Sequence, residues 1–224
     1  MWLKKLAAPN FWPGDKGKFR PNLPGPHSQK KSIPLVVLLR DYLNIAKTAK
    51  ECRNILNREL VKVNNEVVKD ARFSVGIMDV IEMLKDKYIM LPTKKGIFPV
   101  ETKDSTKLSR IDDKKTIKGG KTQLNLHDGR NLQIKKDDYA TGDVIVHEQS
   151  KIKNHLPLKK GSLVLITGGK NIGKVGSVKE VNKTNDFRKT TVIVKVDGND
   201  LPIPKNYVFV VGEDKPVISL GEEE

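Results

Sequence analysis

Residues 48–68 read TAKECRNILNRELVKVNNEVV, and this stretch decides the first domain. Thr48 with Glu51 three residues on is a capping box, each side chain satisfying an orphan backbone donor at a helix start. Ala49, Cys52, Ile55 and Leu56 fall on one helical face and point inward, whereas Lys50, Arg53, Asn54 and Asn57 form a polar, mostly cationic face. Val61 and Val63 then alternate with Lys62. Asn64-Asn65 tolerates the positive φ that a two-residue hairpin turn demands. A rigid cation-bearing helix beside a rigid hairpin is a surface suited to a phosphate backbone.

An apolar helix is predicted just before it. Ser32 is the expected cap, Pro34 is tolerated in a first turn, and Leu35, Leu38, Leu39 and Tyr42 share a face. The order Arg40-Asp41-Tyr42-Leu43, Thr48-Ala49-Lys50-Glu51-Cys52-Arg53, then Val61-Lys62-Val63-Asn64 resembles the S-four RNA-binding domain. That pattern combines an Arg-x-x-x-Leu segment, a Ser/Thr-x-x-Glu-Ala-Arg helix start and a Val-x-Val-Asn hairpin, with Cys52 standing in place of the usual Ala.

Composition points the same way. The chain has 224 residues, 37% hydrophobic and 31% charged, so it can hold two or three small domains with modest cores. A net charge of +15 calls for a polyanionic partner, either nucleic acid or an anionic membrane. Membrane insertion is disfavoured, because the longest apolar run, 33–39, is far short of the ~20 residues of a spanning helix. No cleavable signal is expected. A single cysteine excludes an internal disulfide framework and suits a reducing, cytoplasmic setting.

Upstream, residues 1–31 carry seven Lys or Arg against one acid, with five prolines that break any long helix. An extended basic arm is predicted. Its Trp2, Phe11, Trp12 and Phe19 either stack on exposed bases beside phosphate-tracking cations or pin the arm to its own domain. Downstream the pattern turns to strands at 75–83, 88–91, 97–98, 123–126, 132–134 and 144–146, with turns at Gly96 and Asp128-Gly129. Such spacing argues for an open barrel or small sandwich. Lys114-Lys115 and Lys118-Gly-Gly-Lys121 make a basic loop region that is either a solvated face or a contact.

Residues 159–181 form a strand, a glycine-rich turn and a second strand, resembling a KOW motif. Nine Lys or Arg lie in 159–195 against two acids. Glycines permit close backbone approach and Lys170 and Lys174 can reach phosphates, although some glycines serve the turn alone. The acidic end, 213–224, is assigned no role.

Two motifs are decoys. Gly168 to Lys174 fits Gly-x4-Gly-Lys, but Val175 stands where a nucleotide-binding loop needs Ser or Thr, and a strand follows where a helix is required. Arg110-Ile-Asp112 is reminiscent of pseudouridine synthases, yet the strands around it are too few for that catalytic domain. His27, His127, His147 and His155 lack metal-ligand spacing. No catalytic residue, metal, cofactor or small-molecule substrate is expected.

The start Leu3-Lys4-Lys5-Leu6-Ala7-Ala8-Pro9 with Trp12, the S-four-like unit, the segment Lys118-Gly-Gly-Lys-Thr-Gln-Leu-Asn-Leu-His-Asp-Gly-Arg-Asn131 and the KOW-like unit resemble, in that order, the archaeal and eukaryotic small-subunit ribosomal protein family S-four-e. The resemblance spans nearly the whole chain. It implies a structural constituent of the small ribosomal subunit that binds ribosomal RNA, in a cytoplasmic ribosome with ribosomal-protein neighbours. A short C-terminal part leans toward an archaeal source.

The expected fold is α+β. It comprises a basic extended arm (1–31), an S-four-like helix-helix-hairpin domain (32–74), a central antiparallel β domain (75–156), an SH3-like KOW barrel (157–212) and an acidic tail (213–224). The RNA contacts expected are Lys4, Lys5, Lys16, Lys18 and Arg20 on the arm, with Lys50, Arg53, Asn57, Arg58 and Lys62 on the helix and hairpin. Lys118, Lys121 and Arg130 serve the central domain, and Lys170, Lys174, Arg188 and Lys189 the KOW-like unit. Two other classes compete: an RNA-modifying enzyme carrying an S-four domain, and a KOW-type transcription elongation factor. The second leaves the S-four-like region, 32–74, unexplained.

Overall fold

The computed structural model describes residues 2–13, 19–25, 27–84, 86–103, 105–117, 119–134, 137–148, 151–182, 190–213 and 215–218. The chain divides into two compact units: Met1–Leu91 with Lys95–Ser105, and Pro92–Lys94 with Thr106–Leu220.

The first unit begins with β1 (Trp2–Lys4) and β2 (Phe19–Pro21), which pair antiparallel. β3 (Ser32–Pro34) leads into α1 (Leu35–Val37), which widens into a π-helical turn at Leu38–Tyr42. The Leu43 amide reaches back five residues to the Leu38 carbonyl at 3.0 Å, and the Ile45 amide takes the Leu39 carbonyl. Leu35, Leu38 and Leu39 are fully buried, as their spacing predicts. Ser32 does not cap this helix. It lies in β3, its hydroxyl donates to the Ser28 carbonyl at 2.9 Å, and Pro34 occupies the cap position.

α2 (Ala49–Asn57) starts as expected: the Glu51 amide donates to Thr48 Oγ1 at 3.2 Å. The return half of the box reaches one residue further back, with the Lys47 amide donating to Glu51 Oε2 at 2.8 Å. β4 (Val61–Val63) and β5 (Glu66–Val67) close a hairpin through Asn64 (φ 54°) and Asn65 (φ 66°).

The expected strand at 75–83 is two strands, β6 (Ser74–Gly76) and β7 (Val80–Met83), broken by Met78 at φ 64°. β6 pairs with β3, whereas β7 joins β8 (Asp86–Thr93) and β9 (Gly96–Glu101) in the order β5-β4-β7-β8-β9. The hairpin is therefore one edge of a five-stranded sheet, and the first unit runs well past the boundary expected at residue 74. Apolar side chains from 33–39, α2 and this sheet share one core with Trp12, which is 1% exposed.

That burial favours one of the two readings of the arm's aromatics, in which they pin the arm to its own domain. A tryptophan has more to gain from a core than from water, and Trp12 takes that option. Its indole N–H donates to the Ser32 carbonyl at 2.9 Å, and the Tyr42 hydroxyl donates to the Phe11 carbonyl at 2.9 Å. A Cβ on Gly96 would meet the Phe11 Cβ at 2.5 Å, so glycine there lets the arm lie flat on the sheet. Further along, His27 Nε2 sits 2.8 Å from the buried Asp79 carboxylate. Trp12 is not available for stacking on bases.

In the second unit, β10 (Lys107–Ile117) pairs with two partners in turn. Its first half joins β13 (Val144–Glu148), and its second half, beyond a bulge at 111–113, joins β11 (Lys121–Leu126). β12 (Asn131–Ile134) and β14 (Lys151–Leu156) complete the order β12-β11-β10-β13-β14. Ile111, Leu124, Leu126 and Ile145 form its core.

The KOW-like region is an antiparallel sheet of β15 (Leu163–Ile166), β16 (Val175–Asn182), β17 (Thr191–Val196), β18 (Asn199–Pro204) and β19 (Val208–Gly212), in the order β18-β17-β16-β15-β19. The edge strands β18 and β19 do not pair, so the ladder is open where a closed barrel was expected. A strand, not a helix, follows the Gly-x4-Gly-Lys sequence.

Candidate nucleic-acid interface

Helix α2 carries a cluster of exposed cations. Cys52 and Leu56 are buried on its inner side, and burial pushes the Cys52 thiol up from its ordinary value. With those residues fixed inward, Lys50, Arg53, Asn57 and Arg58 are exposed, and Lys62 projects from β4 between the buried Val61 and Val63. Two nearby acids are engaged elsewhere. Glu51 is held by the cap, and Glu59 pairs with Lys69 at 2.7 Å, which lowers its carboxyl below the usual range. Lys50, Arg53, Arg58 and Lys62 form no ion pair among the described residues.

Of the arm residues, Lys4 is exposed, and Arg20 is 5% exposed, buried rather than presented to solvent. Lys16, Lys18, Lys118, Arg188 and Lys189 lie outside the described residues, as does the Lys5 side chain.

Around Arg20 lies a cleft of about 500 Å³ that the sequence did not reveal. Arg40, Arg53, Lys69 and Arg72 also line it, from the π-helical turn, α2 and the loop after β5. Arg40 makes a bidentate bond to Asp41 at 2.7 and 2.8 Å. Arg72 rests on Asp70 at 3.4 Å, and that loop is fastened to α1 through the Leu35 and Val36 amides, which donate to the Phe73 and Ala71 carbonyls. The signal in the sequence was Lys69-Asp-Ala-Arg72, basic residues just past a hairpin, which converge with Arg40 only in three dimensions.

In the second unit Lys121 is exposed at the start of β11. Arg130 is half-buried and 3.9 Å from Asp128, whose main partner is Lys107. Lys170 is exposed on the 167–174 turn, whereas Lys174 is paired with Asp197 at 2.6 Å. Arg110, half of the synthase-like decoy, bonds to Asp112 at 2.7 Å and donates to the Asn206 and Val208 carbonyls. It clips β10 to the KOW-like sheet. No cluster of three or more His, Cys, Asp or Glu side chains suited to a metal occurs among the described residues, and no helix there is long and apolar enough to cross a membrane.

Comparison with known proteins fits these modules. The S4 domain profile matches residues 33–81 and the profile described as ribosomal family S4e matches 84–153. The small ribosomal subunit protein eS4 of Methanosphaera stadtmanae is 44% identical, covering 97% of this chain and 95% of the relative. The protein of the same name from Aeropyrum pernix is 40% identical over 98% of this chain and 95% of its own. The chain belongs to the S4e ribosomal protein family. A crystal structure of the 30S ribosomal protein S4e from Thermoplasma acidophilum superposes with a TM-score of 0.72 at 25% identity, covering 82% of this chain and 96% of that one. As an S4e protein, the chain has in its 33–81 match the β3 to β7 region that holds the cationic helix and hairpin.

Proposed function

We propose that this S4e chain is a structural constituent of the small ribosomal subunit, bound to small-subunit ribosomal RNA beside other ribosomal proteins in the cytoplasm, without catalytic activity. The observation that carries the reading is the exposed face of α2 and β4. There Lys50, Arg53, Arg58 and Lys62 stand on two rigid elements while the neighbouring acids are held elsewhere. Full-length relatives named as small-subunit proteins support the setting.

Recognition is electrostatic positioning: cations on fixed backbone contact phosphates, and each contact releases counterions. The open sheet 163–212 acts as a KOW-like module in this reading, with Lys170 as its leading phosphate contact. Lys4, Lys121 and Arg130 supply weaker contacts, and Lys5, Lys16, Lys18, Lys118, Arg188 and Lys189 remain proposed partners of the same RNA. The use of Arg110 as a structural clip weighs against the RNA-modifying alternative, and the S4 domain match weighs against an elongation factor.

The test is sedimentation of native chain through sucrose gradients, with filter binding to small-subunit ribosomal RNA over a salt series. Co-migration with small subunits is expected, and the logarithm of affinity should fall with log salt by about 0.7–0.9 per phosphate contact. Replacing Lys50 and Arg53 by Ala should weaken binding to all RNA segments and flatten that slope. Migration with RNA polymerase, or an unchanged slope, would overturn the assignment of this face.

A further inference from the structure

In the cleft around Arg20, one edge of a buried guanidinium meets no acceptor among the described residues. Arg20 is 95% buried, and its Nε and Nη2 atoms have no hydrogen-bond partner among the described residues. A guanidinium cannot shed its proton to relieve this, so burial without a partner is a standing cost to the free protein. The arm nevertheless fixes it there: β2 is paired to β1, with Arg20 opposite Leu3. A protein that keeps a buried, unpaired fork of donors holds a place for an acceptor.

The cleft's surroundings specify the acceptor. Five cations line it, Arg20, Arg40, Arg53, Lys69 and Arg72, against one acid, Asp70. Arg40 is neutralised by Asp41 and Lys69 by Glu59, so the surplus sits at Arg20 and Arg53. That is a site for an anion, and the planar fork of arginine matches phosphate oxygens two at a time. The remaining wall is mostly apolar, formed by Pro21, Val36, Val37, Ala49 and Ala71 with the Asn57 amide. At about 500 Å³ the cleft has the volume of a small-ligand pocket, more than a bare phosphate needs and far less than an RNA duplex.

We propose that this cleft receives one unpaired ribonucleotide of the ribosomal RNA, its phosphate anchored by Arg20 and Arg53 and its sugar and base against the apolar wall. This rests on the ribosomal-RNA reading above. RNA loops and bulges can splay a nucleotide outward in this way, whereas a paired strand cannot. The exposed cations of α2 and β4 would then hold the flanking backbone, and the buried arginine would fix its register.

The experiment uses the full chain and separates stability from binding. Arg20→Met keeps the length of the side chain and removes its charge. Without RNA it should melt at or above the wild-type temperature, because an uncompensated buried charge has gone. Its affinity for small-subunit ribosomal RNA should fall about tenfold or more, and the salt slope should lose about 0.7–0.9. Arg20→Lys, which retains the charge without the fork, should recover part of the affinity.

A melt of Arg20→Met below wild type would make the guanidinium a folding element and overturn the proposal. So would unchanged RNA affinity in Arg20→Met while Lys50→Ala with Lys62→Ala binds weakly, and in that case the ribosomal-RNA reading stands. Wild-type chain that fails to bind the RNA in dilute buffer overturns both. Inorganic phosphate is the control for source: if it raises the wild-type melting temperature as far as the RNA does at equal ionic strength, the cleft is a free-anion site and not a nucleotide site.

Discussion

Trp12 donates its indole N–H to the Ser32 carbonyl at 2.9 Å, joining the basic arm to the strand that leads into the first helix. This contact spans twenty residues of chain and explains why the arm is not a free polycation. Trp12→Ala should destabilise the first unit by about 3–5 kcal/mol, the range for deleting a large buried aromatic. Trp12→Phe keeps most of the packing but strands the Ser32 carbonyl, at about 1–3 kcal/mol. Denaturant titration of each variant measures the cost, and strong iodide quenching of Trp12 fluorescence in a Trp2→Phe background would contradict its burial.

The hairpin turn supplies a second prediction with opposite outcomes at adjacent residues. Asn64 is buried, its side-chain amide donates to Asp79 at 2.9 Å and its carbonyl oxygen accepts the Val80 amide at 3.0 Å. Asn65 has no such side-chain bond among the described residues and needs only its φ of 66°. Asn64→Gly should therefore cost about 2–3 kcal/mol although glycine suits the backbone, because two buried polar partners lose their bonds. Asn65→Gly should be neutral or stabilise by up to about 1 kcal/mol, since the second turn position favours glycine. Thermal melts that rank the two the other way would remove Asn64 from the support of this turn.

The contrast shows which features could be read from the sequence. The capping box at Thr48 and Glu51, the Asn64-Asn65 turn and the Asp128-Gly129 turn are encoded within four residues, and each was legible. The buried contacts Trp12 to Ser32 and His27 to Asp79 join segments twenty and more residues apart, and no periodicity carries them. The break at Met78 was hidden because a left-handed methionine leaves no compositional mark in an apolar run. For the interface, helical spacing sufficed to expose Lys50, Arg53 and Asn57. The cleft draws on residues from the arm, two helical segments and a loop, and the sequence places Arg20 among the arm's cations without showing that it is buried.

Lys107 and Asp128 form an ion pair in the second unit, 4% and 1% exposed. Burial pushes the Asp128 carboxyl up, but the charge and hydrogen bond of the Lys107 ammonium, with His127 and the Arg130 amide, together bring it below its ordinary value. A carboxyl lowered by folding stabilises the protein above its unfolded value, and that contribution is lost as pH falls through about 4 and below. Acid titration should thus weaken wild type in that window more than a chain carrying Lys107→Met with Asp128→Leu. Lys107→Met alone strips a buried carboxylate of its main partner, leaving Arg130 at 3.9 Å, and should cost about 3–5 kcal/mol at neutral pH, and the double change should recover much of it. Equal losses from the single and double changes would mean the pair does not act as a unit.

The turn of the KOW-like sheet separates two lysines that the sequence treats alike. Lys174 is held by Asp197 at 2.6 Å, whereas Lys170 is exposed four residues earlier. A phosphate must displace Asp197 to use Lys174, but can take Lys170 directly. Lys170→Ala should therefore lower RNA affinity more than Lys174→Ala and remove about 0.7–0.9 from the salt slope. Asp197→Ala removes the carboxylate held by Lys174 and should tighten binding up to about fivefold, the scale of a surface ion pair worth ~1 kcal/mol. Filter binding of the three variants at several salt concentrations decides the matter: weaker binding by Asp197→Ala would show that the pair shapes the turn instead of masking a phosphate contact.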